Sequence, residues 1–357
     1  MSNFVSNKKA IYDYMTTQFK DISNEELLNS GFQIWYHKFD ELRKQIINRY
    51  VRINILNKTF KPRVVELKSG NIIDHHILSY ISPLEFKRIG WCGKRLAPHE
   101  HMKQISDYFT SRGKRFIYIA LPNKGCIYPS IIYEGMDIDF KKELSMCNSP
   151  QWRKYVKDVV ASGVEVLDMY PIFMKYKQYN DLFSKQHYIS PYGAKITGET
   201  IANYLKMTTD GITEYFNIDK DEYLAYSSNK SHSENQKELL DIFYFYDDNR
   251  KVCYWNQGIT NSKICIFGDC NLQAYNSVGG GITNNIVYKL KYPIYNAGRR
   301  LVFGYEEKKL KIDEITELLN YDIIIYVAFS SAPFVRSAVL QTMKPRIEYH
   351  WQKLNLS

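Results

Sequence analysis

The sequence predicts a three-layer α/β/α fold: a parallel sheet covered on both faces by helices, with an N-terminal helical extension. Three observations predict it. Residues 116–121 (FIYIAL) and 322–327 (DIIIYV) are continuous apolar runs, the pattern of strands buried on both faces. Segments with three- and four-residue apolar spacing lie between such runs, and strands separated by helices make a parallel sheet. The first 60 residues carry helical spacing alone. The boundaries expected are therefore an extension over 1–60 and an α/β domain over 61–357.

In the extension, Trp35, Phe39, Leu42, Ile46 and Tyr50 line one helix face. Ser23 with Glu25 and Glu26 reads as a helix start, and Gly31 as a break. A short strand is expected at 64–67. Residues 98–112 present Met102, Ile105 and Phe109 on one face, with Gly113 as the stop. After the strand at 116–121 come a helix at 152–161, Gly163 as its stop, and a strand at 164–167. A helix over 191–205 opens with Pro191, the favoured residue for a first helical position. The stretch 207–240 is polar and carries no clear period; within it, 227–236 (SSNKSHSENQ) reads as a loop. A strand at 263–267, a helical or loop stretch, a strand at 293–295, a helix at 312–319 and the strand at 322–327 complete the domain. The tail from 344 is weakly patterned.

Composition narrows the function classes. The chain has 357 residues, 45% hydrophobic and 24% charged, which are values of a folded protein. Its formal charge of +10 is spread thinly, without a basic run, so a nucleic-acid-binding protein is the weakest class and no nucleic-acid partner is expected. A steep loss of affinity with salt would be its mark. No run approaches 18 apolar residues, so no membrane span is expected. The first 21 residues lack an apolar signal core, and the six cysteines show no CxxC pair. Reduced thiols in a cytoplasmic protein are the expectation.

In a parallel sheet, ligands bind beyond the carboxyl ends of the strands. The strand at 263–267 is followed by Gly268-Asp269-Cys270-Asn271. A glycine there lets the chain turn sharply, and the third residue is presented with backbone N–H groups that can stabilise an oxyanion. Cys270 is then either a nucleophile or a cysteine in a tight turn. His187, in a loop just before the helix at Pro191, is either a general base or a surface or capping histidine. Asn296-Ala297-Gly298, placed after a strand, offers Gly298 as an oxyanion donor. His99-Glu100-His101 reads as a solvated first helical turn. Asp74-His75-His76 is set aside as a metal site because neighbouring strand residues face opposite ways. Gly279-Gly280-Gly281 lacks the Lys-Ser/Thr of a phosphate loop. No cofactor and no metal are expected.

Taken together, three segments resemble the SGNH-hydrolase-like domain of the alginate O-acetyltransferase (AlgX/AlgJ-like) family. Residues 185–194 (KQHYISPYGA) are similar to its D-x-H-W-x-P-x-G-A segment, and Gly268-Asp269-Cys270 to its G-D-S. Pro122, Lys124, Tyr128 and Pro129 match a P-x-K-x-x-x-Y-P loop after a strand. The order is permuted relative to ordinary SGNH esterases, in which the histidine comes last. The resemblance spans roughly residues 65–335. It implies Cys270 as nucleophile in place of serine and His187 as base. Asp269, Asn271, Gly298, Lys185, Tyr188 and Lys124 would surround the substrate or oxyanion.

Two departures matter. Lys185 stands where the family has the aspartate that orients the histidine, and Asp181 is the one nearby carboxylate to replace it. The block after the last strand, 328–333 (AFSSAP), lacks the family's acidic residue and arginine. A thiol of pKa about 8.5 needs less help than a hydroxyl, so a Cys–His pair is chemically coherent. The resemblance implies an O-acetyltransferase or acetylesterase acting on a sugar or a cell-surface or capsular polysaccharide made before export. The other reading is an inactive relative that binds glycan or scaffolds a polysaccharide-biosynthesis complex.

Overall fold

The structure, a computed structural model, describes residues 4–19, 64–66, 72–74, 98–128, 150–184, 188–214, 218–226, 237–247, 250–253, 262–275, 280–300, 310 and 312–329. The helical face expected at 35–50, His75 and His76, and the tail from 344 lie outside them.

The chain opens with β1 (Val5–Ser6) and α1 (Lys8–Phe19), followed by β2 (Val64–Glu66) and β3 (Ile72–Asp74), which form an antiparallel pair of their own. The strand expected at 64–67 is therefore not part of the main sheet. Next come α2 (Pro98–Thr110), β4 (Arg115–Leu121), α3 (Lys124–Ile127), α4 (Pro150–Ala161), β5 (Val166–Asp168), α5 (Met169–Tyr176), α6 (Pro191–Thr208) and β6 (Thr209–Asp210). After them, β7 (Ile218–Tyr226), β8 (Lys237–Asp247) and β9 (Arg250–Cys253) form an antiparallel three-stranded sheet. The last part holds β10 (Ile264–Gly268), α7 (Cys270–Gln273), α8 (Ile282–Leu290), β11 (Tyr295–Arg299), 3₁₀ turns over Ile312–Glu314 and Thr316–Asn320, and β12 (Ile323–Phe329).

Five strands form the central sheet in the order β11-β10-β12-β4-β5, every pair parallel. Counted from β10, this is the doubly wound order 2-1-3-4-5, with its last two strands moved to the front of the chain. The strand order reverses between β10 and β12, so the crevice where such sheets bind ligands opens at the ends of these two strands.

Strand residues alternate between faces. On one face, Phe267, Tyr326 and Tyr118 are cross-strand neighbours; the Phe267 and Tyr326 rings stack at 4.7 Å, and those of Tyr326 and Tyr118 are tilted at 6.0 Å. Phe109 of α2 packs over them, stacked on Phe116 at 5.7 Å, and α2 lies against α4. The opposite parity is aliphatic: Ile266, Ile325 and Ile119 are all fully buried. Burial of both faces explains the continuous apolar runs. At the amino-terminal edge, Arg115 pairs with Glu165 at 2.6 Å, and its guanidinium also donates to Thr208 and Thr209. Tyr204 Oη donates to the same carboxylate, tying α6 to β4. β1 pairs with β6, and Tyr14 of α1 packs on Tyr204 of α6 at 4.8 Å.

Two expectations are corrected, and the polar stretch within 207–240, to which the sequence assigns no helix or strand, contains β7. The helix expected at 312–319 is two 3₁₀ turns, because Ile312, Ile315 and Leu318 recur at the three-residue period that suits a 3₁₀ turn as well as an α-helix. Asn296–Gly298 lies inside β11 rather than after it. The pairing register shifts between Ile266 and Phe267, and Gly298 takes up the irregularity at φ +77°.

Candidate active site

β10 ends on Gly268, which lies against the backbone of β12: a Cβ there would stand 2.0 Å from the Val327 carbonyl oxygen. Only glycine fits this approach. The Asp269 N–H donates to the same carbonyl at 3.1 Å. The chain then turns into α7, with Asp269 as its N-cap accepting the Asn271 N–H at 2.8 Å. Cys270 is the first helical residue and half-buried, unlike the buried Cys126 and Cys265. Cys265, in mid-strand, has its thiol pushed well up by burial, so it is inert beside Cys270.

On the other side of the crevice, β4 runs into Pro122-Asn123 and α3. Asn123 caps α3 by accepting the Cys126 N–H. Lys124, 3% exposed, sends its Nζ to the Ser184 carbonyl at 2.7 Å. Tyr128 Oη accepts the Leu182 N–H at 3.2 Å, and its ring meets Phe183 edge-on at 6.3 Å. Burial raises the Tyr128 phenol above its ordinary value, partly offset by that backbone N–H. Lys124 and Tyr128 thus brace the segment leading to residues 185–187.

That segment folds back on itself: Phe183 bridges Ile189, the Ser184 N–H donates to the Tyr188 carbonyl at 2.9 Å, and the Ser190 N–H donates to the Leu182 carbonyl at 3.0 Å. Ser190 caps α6, accepting the Gly193 N–H, and Pro191 opens the helix as expected. Gly193 is required for contact, since a Cβ would stand 2.2 Å from the Leu182 carbonyl oxygen. Lys185 and His187 themselves lie outside the described residues.

The two sides meet at Asn271. Its side chain is fully buried, and Oδ1 accepts the Ile189 N–H at 2.9 Å across 82 positions of sequence. Its Nδ2 stands 3.9 Å from Cys270 Sγ. Ile189 is two residues from His187, and two peptide steps span at most about 7 Å.

Other candidates fare differently. Asp181 is exposed, and its backbone carbonyl accepts the Ser190 hydroxyl. The Gly298 N–H already donates to Asn296 Oδ1 at 2.8 Å, which commits this oxyanion donor. Asn296 also accepts from Gln273 of α7 and donates to Thr283 of α8. Tyr188 is half-buried. The first turn of α2 is not simply solvated: His101 is 3% exposed, and burial lowers its pKa against the opposing pull of Glu100. Gly281 caps α8. Among the described residues no group of three or more His, Cys, Asp or Glu could hold a metal, and no helix is long and apolar enough to cross a membrane. Sequence reasoning missed Ser184 and Ile189, whose roles run through backbone atoms; Tyr128 was visible only as a motif letter.

No family model matches the sequence, and no curated protein matches it. Solved structures do. The O-acetyltransferase domain of Pseudomonas putida AlgJ superposes with a TM-score of 0.51 at 10% identity, over 76% of this chain and 92% of that one. Pseudomonas aeruginosa AlgX gives 0.49 at 12% identity, over 80% and 67%. Bacillus cereus PatB1 with a sulfonyl adduct gives 0.43 at 10% identity, over 76% and 96%. By superposition the chain has the fold of the AlgJ O-acetyltransferase domain, built here on the parallel five-stranded sheet described above.

Proposed function

We propose that this chain is an acyl transferase that moves an acetyl group to or from a sugar or polysaccharide hydroxyl, with Cys270 as nucleophile and His187 as base. The observation that carries this reading is the Asn271–Ile189 hydrogen bond at the switch point. It ties the turn bearing Cys270 to the segment bearing His187, at the sheet edge where doubly wound folds bind ligands. The AlgJ domain that shares the fold is an O-acetyltransferase, which favours oxygen as the acyl acceptor.

His187 takes the Cys270 proton, and the thiolate attacks the acetyl carbonyl of the donor. The carbonyl oxygen becomes an oxyanion, for which the Cys270 N–H is the nearest backbone donor in sequence. Collapse breaks the bond to the donor's leaving group, which departs with the proton from His187, and an acetyl thioester remains on Cys270. A sugar hydroxyl then gives its proton to His187 and attacks the thioester. The O-acetyl sugar departs and Cys270 is regenerated; water in place of the sugar gives the esterase reaction. The scheme needs no carboxylate orienter, consistent with Lys185 and with the exposed Asp181.

Hydrolysis of 4-nitrophenyl acetate by the full chain tests the proposal. Turnover should vanish in Cys270→Ala and fall about a hundredfold or more in His187→Ala, the usual size of a general-base contribution. Turnover unchanged in Cys270→Ala overturns the assignment. No turnover and no acetylation in any variant favours the other reading, a glycan-binding or scaffolding protein that keeps the fold.

A further inference from the structure

We propose that Asn271 and Lys124 are positioning residues that hold the two flanks of residues 185–187 and thereby set the register of His187 with Cys270; this deepens the Cys–His reading above and rests on it. The flanks are gripped from opposite halves of the permuted sheet. Lys124, following β4, donates to the Ser184 carbonyl at 2.7 Å, and Asn271, following β10, accepts the Ile189 N–H at 2.9 Å. Between these grips the Ser184 N–H closes onto the Tyr188 carbonyl. Both gripping side chains are buried, where a polar group is retained only with good hydrogen bonds.

Asn271 differs from an ordinary loop tether in what its other end meets. The same amide that holds Ile189 presents Nδ2 toward Cys270 Sγ at 3.9 Å. A donor beside the sulfur favours the thiolate, so one side chain addresses the nucleophile and the flank of the base together. Because Asn271 is next to Cys270 and Ile189 is two residues from His187, displacing this contact displaces one partner relative to the other. A shift of about 1 Å in such a pair is enough to cost a large part of its rate.

The test is the rate of iodoacetamide modification of Cys270 at pH 7 in the full chain, read peptide by peptide by mass spectrometry. Cys126 and Cys265 serve as buried controls. Far-ultraviolet circular dichroism and a urea midpoint accompany each variant. His187→Ala should slow Cys270 about tenfold or more. Asn271→Ala and Lys124→Met should each slow it several-fold, and Lys124→Arg, which keeps a cationic donor, should recover most of the rate. Added to His187→Ala, Lys124→Met should not slow Cys270 much further, because it acts through the histidine, and Asn271→Ala should keep only the smaller part of its effect that comes from losing Nδ2 beside the sulfur; such non-additivity marks a shared pathway.

If His187→Ala leaves the rate unchanged, the Cys–His reading itself fails. If His187→Ala slows the reaction while Asn271→Ala and Lys124→Met do not, or if their effects add in full to that of His187→Ala, the positioning role is overturned and the Cys–His reading stands. Should Asn271→Ala fail to fold, the Lys124→Met and Lys124→Arg pair decides the outcome alone.

Discussion

The turn after β10 depends on one missing side chain, and Gly268→Ala tests that directly. The added Cβ would lie 2.0 Å from the Val327 carbonyl oxygen and 3.0 Å from its carbon, with Leu272 Cβ at 3.3 Å on another side. A comfortable carbon–oxygen contact needs about 3.3 Å, so β10 and β12 must part by roughly 1.3 Å at their carboxyl ends. Overpacking of this kind costs about 1–3 kcal/mol. The parting also strains the Asp269 N–H to Val327 carbonyl bond, worth about 1 kcal/mol more. The expected loss is therefore about 2–4 kcal/mol, a large part of the 5–15 kcal/mol typical of a folded chain. Urea unfolding followed by circular dichroism reads it as a lower midpoint with little change in slope. Because the same movement turns Cys270 away from its setting, 4-nitrophenyl acetate turnover should fall with it. A stability loss below about 0.5 kcal/mol would refute the claim that close strand approach fixes this turn.

Three further outcomes follow from other parts of the fold. Arg115→Met should destabilise the chain by about 3 kcal/mol in thermal or urea unfolding, because it leaves the Glu165 carboxylate, 14% exposed, without its cation; a loss under about 1 kcal/mol would contradict the role given to this knot. His101, whose pKa is lowered by burial, binds its proton more readily in the unfolded chain than in the folded one. Its contribution is therefore fully present above the ordinary histidine pKa of about 6.5 and lost as the pH falls below it, and His101→Gln should flatten the stability profile on that acid side. Lys185→Asp combined with Cys270→Ser restores the family pattern of residues; ester hydrolysis exceeding the wild-type rate would mark a decayed site open to repair, whereas a lower rate fits a site built around the thiol.

What the sequence revealed follows from where the driving forces are local. FIYIAL and DIIIYV were legible as strands because both faces of β4 and β12 are buried, so the apolar signal has no polar interruption. β7 was not legible. Lys220 and Glu222 share one parity, and Asp219 and Asp221 the other, so neither face reads as apolar, and its pairing with β8 is a tertiary fact. The Gly268-Asp269-Cys270 turn and the helix start at Ser190-Pro191 were visible because glycine, aspartate, serine and proline have strong local preferences. Asn271 was visible only as a neighbour of Cys270 and was read as a substrate-binding or oxyanion residue. Its bond to the Ile189 N–H joins segments 82 positions apart, and no local pattern encodes that. The bond from the Gly298 N–H to the Asn296 side chain was hidden for a related reason: it sits at a register shift created by pairing with β10.

The most direct test of the central claim is to trap the intermediate. The full chain is mixed with 4-nitrophenyl acetate, quenched in acid within seconds and digested, and the cysteine peptides are compared by mass spectrometry. A Cys270 nucleophile gives an acetyl thioester on the Cys270 peptide that hydroxylamine removes, that is absent from the Cys265 peptide, and that accumulates far more slowly in His187→Ala. Acetylation spread over lysines, with the Cys270 peptide unmodified while the ester is still turned over, would contradict it.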